Sequence, residues 1–250
     1  MRAFAGLALL LINPMTGPAV AQAAHPLITE DTGTQSSGRV QVEFTHERGV
    51  VYEPAGRSDV QLSNAVVAVG VRSNVDVILT VPYQRVHDSN GVQSGFADIG
   101  LDAKWRFYDG GPVFAAIKSG VTLPSGDETR GLGTGRSGWS TFLVSTYFVQ
   151  PWEVNLHVGI SGNNNVVGER EPLWHASLAG VWTLASGHKL VADVGVDTQP
   201  HPESRRYQTF LILGAIYAVA KTIDLDIGYK LGLNEFDNSS VLLAGLTLRY

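Results

Sequence analysis

Ser239-Ser240-Val241-Leu242-Leu243-Ala244-Gly245-Leu246-Thr247-Leu248-Arg249-Tyr250 closes the chain. Counting back from Tyr250, Leu248, Leu246, Ala244 and Leu242 fall on one face of an extended strand. Arg249, Thr247 and Gly245 fall on the other. Successive side chains of a strand point to opposite faces, so one face suits lipid and the other a polar interior. A strand ending on the final residue also needs a partner on each edge, which a closed barrel supplies by pairing it with the first strand.

Leu246, Leu248 and Tyr250 resemble the terminal assembly signal of bacterial outer-membrane barrels, which makes the barrel-assembly machinery and outer-membrane lipid expected partners. The opposite end agrees. Arg2 is the sole charge before His25, residues 3–12 are apolar, and Ala19-Val20-Ala21-Gln22-Ala23 supplies small residues for cleavage near Ala23 or Ala24. Residues 1–23 therefore read as a secretory signal peptide. The apolar run is too short for an anchor, and Pro14 and Pro18 would interrupt any helix that extended it. Residues 210–220 form the longest later apolar run, also too short to span as a helix.

The mature chain of about 226 residues suits one large β domain. Cysteine is absent, so there is no disulfide framework and no thiolate metal site. The net charge of −5 argues against nucleic-acid binding. No cofactor motif is evident.

Turn signals divide the sequence into twelve alternating segments: 40–48, 61–72, 75–87, 97–109, 113–123, 139–149, 152–161, 173–185, 189–198, 208–219, 223–233 and 240–250. In the fourth, Ile99, Leu101, Ala103, Trp105 and Phe107 oppose Asp98, Asp102, Lys104 and Arg106. In the eleventh, Ile223, Leu225, Ile227, Tyr229 and Leu231 oppose Asp224, Asp226 and Lys230. Short connections follow Arg72, Asp109, Val149, Ala185 and Val219. Long ones cover 49–60, 88–96, 124–138, 162–172, 199–207 and 234–239. Short–long alternation with an even strand count predicts a transmembrane barrel with both termini in the periplasm. Tyr108, Phe114, Tyr147, Phe148, Trp152, Trp182, Tyr217 and Tyr250 lie beside short turns; Tyr83, Phe96, Trp139, Trp174, Tyr207 and Phe236 lie near long loops. These are two aromatic belts for two membrane interfaces. The tenth segment departs from the pattern, because residues 210–216 are apolar on both faces and imply something for the inner face to pack against.

Several ordered stretches resemble the family named for the MetA pathway of phenol degradation. They are residues 25–35 (His25-Pro26-Leu27-Ile28-Thr29-Glu30 onward), Val81-Pro82-Tyr83, Asp98-Ile99-Gly100-Leu101, Lys104-Trp105-Arg106-Phe107-Tyr108, Thr122-Leu123-Pro124-Ser125-Gly126-Asp127 and Gly131-Leu132-Gly133-Thr134-Gly135. The resemblance covers the first half of the mature chain and implies an outer-membrane channel or transporter, with hydrophobic or aromatic solutes suggested by analogy alone. It carries over no catalytic motif.

Three features bear on chemistry. The glycine-rich run from Gly131 to Arg136 has no helix behind it to cradle phosphate; it is a flexible external loop, or it folds into the barrel mouth. His157 with Asn155, and His175 with Ser177, hold fragments of a hydrolytic triad on an inward face, yet neither sits in a known motif. We therefore expect a non-enzyme. The interior face should carry Asp98, Asp102, Lys104, Arg106, Lys118, Glu153, Asn155, His157, Lys189, Asp193, Asp197, Asp224, Asp226, Lys230 and Arg249. These near-balanced charges either interlock as ion pairs or line a water-filled path. Residues 24–39 either trail in the periplasm or enter the lumen as a plug, and residues 40–250 form the barrel. The expected function is passive passage of a small-molecule solute. The alternative is a structural or adhesive barrel whose loops bind an external partner.

Overall fold

The computed structural model describes residues 25–53, 56–203, 206–234 and 239–250. The signal peptide read at 1–23 and the belt residue Phe236 lie outside them. Thirteen strands are present among the described residues: β1 (Val40–Glu53), β2 (Gly56–Arg72), β3 (Val75–Asp88), β4 (Gly91–Phe96), β5 (Ile99–Gly110), β6 (Val113–Leu123), β7 (Gly138–Val149), β8 (Trp152–Gly162), β9 (Leu173–Thr183), β10 (Lys189–Thr198), β11 (Tyr207–Ala220), β12 (Ile223–Gly232) and β13 (Ser240–Arg249). All pairings are antiparallel, and β2 pairs with β3 as well as with β1, so the sheet closes on itself as a twelve-stranded barrel with β4 added. The seam joins β1 to β13 from Gln41 opposite Arg249 to Val50 opposite Ser240. Beyond that ladder, Tyr250 N–H donates to the Val40 carbonyl at 2.8 Å. The last strand thus has the partner its position demands.

Facing follows the alternation. Leu101, Trp105, Leu156, Leu225, Ile227 and Tyr229 are exposed on the outside, while Asp102, Lys104, Asp224, Asp226 and Lys230 are buried inside. No described helix is long and apolar enough to cross a membrane. A chain without such helices crosses lipid only as a closed barrel, since every backbone polar group must find a partner internally.

The structure differs from the sequence expectation at three places. Residues 88–96, read as a loop, form a hairpin: Asp88 Oδ1 accepts from Asn90 N–H at 2.8 Å, Gly91 takes a positive φ of 114°, and β4 pairs with β3 from Tyr83 to Asp88. The strand is short and weakly alternating, which hid it. β1 and β2 also run further into the predicted 49–60 loop, pairing as far as Glu53 with Gly56. Two residues assigned to the lipid belt face inward instead: Phe114, buried on β6, and Phe148, half-buried on β7 in step with Phe142, Val144 and Thr146. Tyr108, Tyr147, Trp152, Trp182, Tyr217 and Tyr250 are exposed at the short-turn end, and Tyr83, Phe96, Trp139, Trp174 and Tyr207 at the other. As the sequence implied, the two-faced apolar β11 has an inner partner. Phe210 and Ile212 cluster with Val241, Leu243 and Ile28, and Ile216 with Ala179, Val181, Val191 and Leu27. The core of the barrel is built around the segment that precedes β1.

The barrel interior as the candidate functional site

Residues 25–35 are all buried. They run from the short-turn end of β2 and β3, across the lumen, to β12. A buried extended segment must find acceptors for its N–H groups, and carboxylates and a hydroxyl of the wall supply them. Gln35 N–H donates to the Asp76 carboxylate at 2.8 Å. Thr32 N–H donates to Thr146 Oγ1 at 3.0 Å. Ile28 and Thr29 N–H both donate to Asp193 Oδ2, at 2.8 and 2.7 Å. His25 Nδ1 meets Asp226. Pro26, which has no N–H, lies against Gly214 and Gly228, where an added Cβ would come within 2.6 Å of its ring. Those two positions accept no side chain while the segment is seated.

Charge organises the middle of this crossing. Lys104 and Lys118 face each other directly across the β5–β6 ladder, and both are fully buried. Like charges opposed on neighbouring strands repel. Glu30 sits between them, ion-paired with Lys118 and 3.3 Å from Lys104 Nζ. Asp31 lies 3.8 Å from Lys104, and Asp102 3.9 Å from Lys118. The charges therefore interlock, but the key member comes from the plug rather than from the opposite wall.

The remaining inward residues form smaller groups. Asn155 donates to Glu153 at 2.8 Å and accepts from Thr146 at 2.7 Å. Arg249 donates to Asp224 at 2.6 Å and to Gln41 at 3.2 Å. Lys230 Nζ lies 5.0 Å from the Phe210 ring centroid. Arg106, Lys189 and Asp197 also point inward but keep partial exposure. Sequence reasoning omitted Gln41, Glu43, Glu47 and Asp76 from the interior, although all four are buried. The alternation Gln41, Glu43, Thr45, Glu47 against Val42, Phe44 and His46 was available to find three of them.

Asp98 stands apart, at the long-loop mouth. Its carboxylate accepts from Gly126 N–H, Thr134 N–H and Thr134 Oγ1 at 2.8, 2.8 and 2.9 Å. These bonds draw the 124–138 loop inward, where Leu132 is buried and the Gly131 carbonyl accepts from Gln84 at 2.8 Å. A Cβ at Gly133 would meet Asp98 Oδ1 at 2.5 Å, so glycine is required for this approach. Of the two readings of the glycine-rich run, entry into the mouth is the one observed. Behind it lies a cavity of about 60 Å³ whose lining includes Asp98, Trp139, Ser161, Asn163, Glu169 and Leu173. Burial pushes the Glu169 carboxyl up, while Asn163 Nδ2 donates to it at 2.8 Å.

His175, Ser177 and Asp197 have the connectivity of a hydrolytic triad: Asp197 Oδ1 lies 2.5 Å from His175 Nδ1, and Ser177 Oγ 2.8 Å from His175 Nε2. Ser177 is buried beneath Thr29, and its strand is laddered on both edges, so its backbone N–H groups are not free to hold an oxyanion. The other fragment fares similarly: the His157 ring packs at a tilt against Phe142 and His175, each at 4.7 Å between centroids, and Asn155 bonds elsewhere.

A family model described as "Putative MetA-pathway of phenol degradation" matches residues 23–250. The chain belongs to that family. Its fold is similar to the COG4313 outer membrane channel from Pseudomonas putida F1, with a TM-score of 0.74 and 13% identity over 88% of this chain and 98% of that one. It is also similar to the KdgM porin (TM-score 0.57, 8% identity, 83% and 98% covered). A third likeness is the CymD monoaromatic hydrocarbon channel (TM-score 0.52, 9% identity, 85% and 88% covered). No curated protein sequence matches it. At these identities the structural likenesses establish the barrel fold, and family membership extends to the second half of the chain, where the sequence matched by pattern alone.

Proposed function

We propose that this protein is an outer-membrane channel for passive passage of small molecules, and not an enzyme. The observation that carries the reading is a closed barrel with an apolar exterior and a charged interior, filled in part by a segment of its own chain rather than by wall side chains alone. Family membership supports it, as does similarity to proteins named as outer-membrane and monoaromatic hydrocarbon channels. The cavity at the long-loop mouth, lined by Trp139 and Leu173 together with Ser161, Asn163, Asp98 and Glu169, suits a small solute that has an apolar face and at least one polar group. With residues 25–35 seated, the lower lumen is occupied, so aqueous passage requires their displacement.

The test is conductance in planar bilayers and uptake of a small aromatic solute by liposomes. The intact chain is compared with a variant lacking residues 26–36, after heat-modifiable gel mobility has shown both to be folded. Low conductance in the intact protein and a sustained rise on deletion are expected. A folded deletion variant that passes neither ions nor solute would favour the second reading, a non-transporting barrel, which the dense plug contacts independently suggest.

A further inference from the structure

Around His25 the wall is short of positive charge. Thr45 on β1, Gly245 on β13 and Asp226 on β12 stand opposite one another in the ladder, and Glu43 and Glu47 flank Thr45 on the same inward face. His25 lies over this row. Its Nδ1 meets Asp226, and a Cβ at Gly245 would come within 2.7 Å of that nitrogen. Glu43 and Glu47 both act electrostatically on His25. His25 Nε2, Glu43 Oε2, Glu47 Oε1 and Asp226 Oδ2 are buried, and none has a hydrogen-bond partner among the described residues. Arg249 and Lys118 also act on Glu43, but each is ion-paired elsewhere, with Asp224 and with Glu30. That leaves Lys230, which acts on Glu47. The three carboxylates of Glu43, Glu47 and Asp226 thus share at most two positive charges, Lys230 and a protonated His25. A buried carboxylate left without its counter-charge is costly.

We propose that Glu43, Glu47 and Asp226 form a binding site for an ammonium group, and that its occupant is the α-amino group of the processed chain. Ala21-Gln22-Ala23 has the small-x-small pattern that precedes signal-peptidase cleavage. Processing after Ala23 frees the amino group of Ala24, and processing after Ala24 frees that of His25. Backbone dimensions put the freed nitrogen within about 5 Å of the His25 Cα in either case. The cleavage is a hydrolysis: the oxygen of water leaves with the signal-peptide carboxylate, and its two hydrogens end on the new ammonium. That group brings one positive charge at neutral pH and three donors. Those supply the missing charge and match the free oxygens of Glu43, Glu47 and Asp226. The amide N–H of an unprocessed chain brings one donor and no charge. Maturation therefore makes the group that anchors the plug.

The seat of Pro26 favours the same site. Its ring lies against Gly214 and Gly228, which fixes the chain immediately after the amino group. Little freedom is then left to lose when the ammonium binds. The inference concerns how the segment is anchored and holds whether or not a solute crosses the barrel.

Trypsin cutting after Arg39 releases an N-terminal peptide without lysine, so its α-amino group is its only primary amine. The folded barrel, expressed with its signal peptide and purified, is treated briefly with an acetylating reagent and read by mass spectrometry. The peptide should begin at Ala24 or His25. Its amine should be labelled more slowly than in the urea-unfolded chain by roughly tenfold or more, the effect of a charge-assisted hydrogen bond. Lys221, exposed at a short turn, should be labelled alike in both. Glu43→Gln with Glu47→Gln keeps the shape and removes the charge, and should return most of the lost rate in barrels that still show heat-modifiable mobility. If that pair yields no folded barrel, Glu47→Gln alone takes its place. Burial by itself also slows labelling, so a second measurement isolates the charge. The unfolded chain is acetylated at about pH 6.5, where the α-amino group reacts far ahead of lysine, and is then refolded. Acetylation should lower the urea midpoint of the parent and leave that of the Gln variant unchanged. A peptide beginning elsewhere, an amine labelled as fast folded as unfolded, or labelling that stays slow in the Gln variant would overturn the site. So would an acetylation loss that is absent in the parent or as large in the Gln variant.

Discussion

Glu30 illustrates how much one side chain governs here. It is the counter-charge for two buried ammonium groups that the sheet register sets face to face. Removing one partner of a buried ion pair leaves an uncompensated charge, at a cost of about 3–5 kcal/mol. Glu30→Gln should therefore lower the unfolding midpoint sharply. Combining it with Lys104→Met and Lys118→Met, and with Asp31→Asn and Asp102→Asn so that the carboxylates those lysines face are neutral too, should restore most of the loss, because the whole charged cluster is gone; urea unfolding of the parent and these variants checks both. On the outside the reasoning inverts. Leu101→Arg or Leu225→Arg sets a charge in lipid and should cost roughly 2–4 kcal/mol near mid-membrane. Asp102→Asn should fold and act on conductance. Silent outward changes together with lethal inward ones would mean the facing is inverted. Alternation made Lys104 and Lys118 legible as inward from sequence alone. Their partner was not, because Glu30 lies in a segment with no period, and only the fold brings it to them.

The elements repeat that contrast. Twelve strands were legible because each carries its own period and turn chemistry. β4 was missed because its six residues show little alternation, although the Asp88-Ser89-Asn90-Gly91 turn pointed to a hairpin. The apolar inner face of β11 was an anomaly in the sequence, and its resolution is Ile28 and Leu27. Loop length predicts the orientation, with the 124–138 and 162–172 connections expected outside the cell and Gly110-Gly111 in the periplasm. Epitope insertions at Ser125 or at Asn163 should be reachable by protease on intact cells, and one at Gly110 should not. Exposure of the Gly110 insertion would reverse the barrel in the membrane.

For the whole molecule, closure depends on the first and last strands meeting. The Val40–Tyr250 pair completes the seam, and Tyr250 is exposed at the short-turn rim, where an amphipathic ring suits the interface. If this residue also directs assembly, deleting it should reduce folded barrel far more than Tyr250→Phe, which keeps the ring. Arg249→Gln, whose side chain points inward, should matter less than the deletion. Heat-modifiable mobility of outer-membrane fractions measures all three. Normal yield after the deletion would remove the assembly role and leave the seam as the residue's contribution.

The short stretch from Ser36 to Arg39 connects the buried segment to β1, and Gly38 N–H and the Arg39 carbonyl are both bonded to Gly70. A ligand tied to its own receptor by so few residues never diffuses away. Its effective concentration is at least about millimolar, so after any excursion it returns without competition from dilute outsiders. A free peptide of residues 25–36, added to the deletion variant, should close the barrel only when supplied near that concentration. Occupancy of the lumen is accordingly independent of how many copies of the protein the membrane holds.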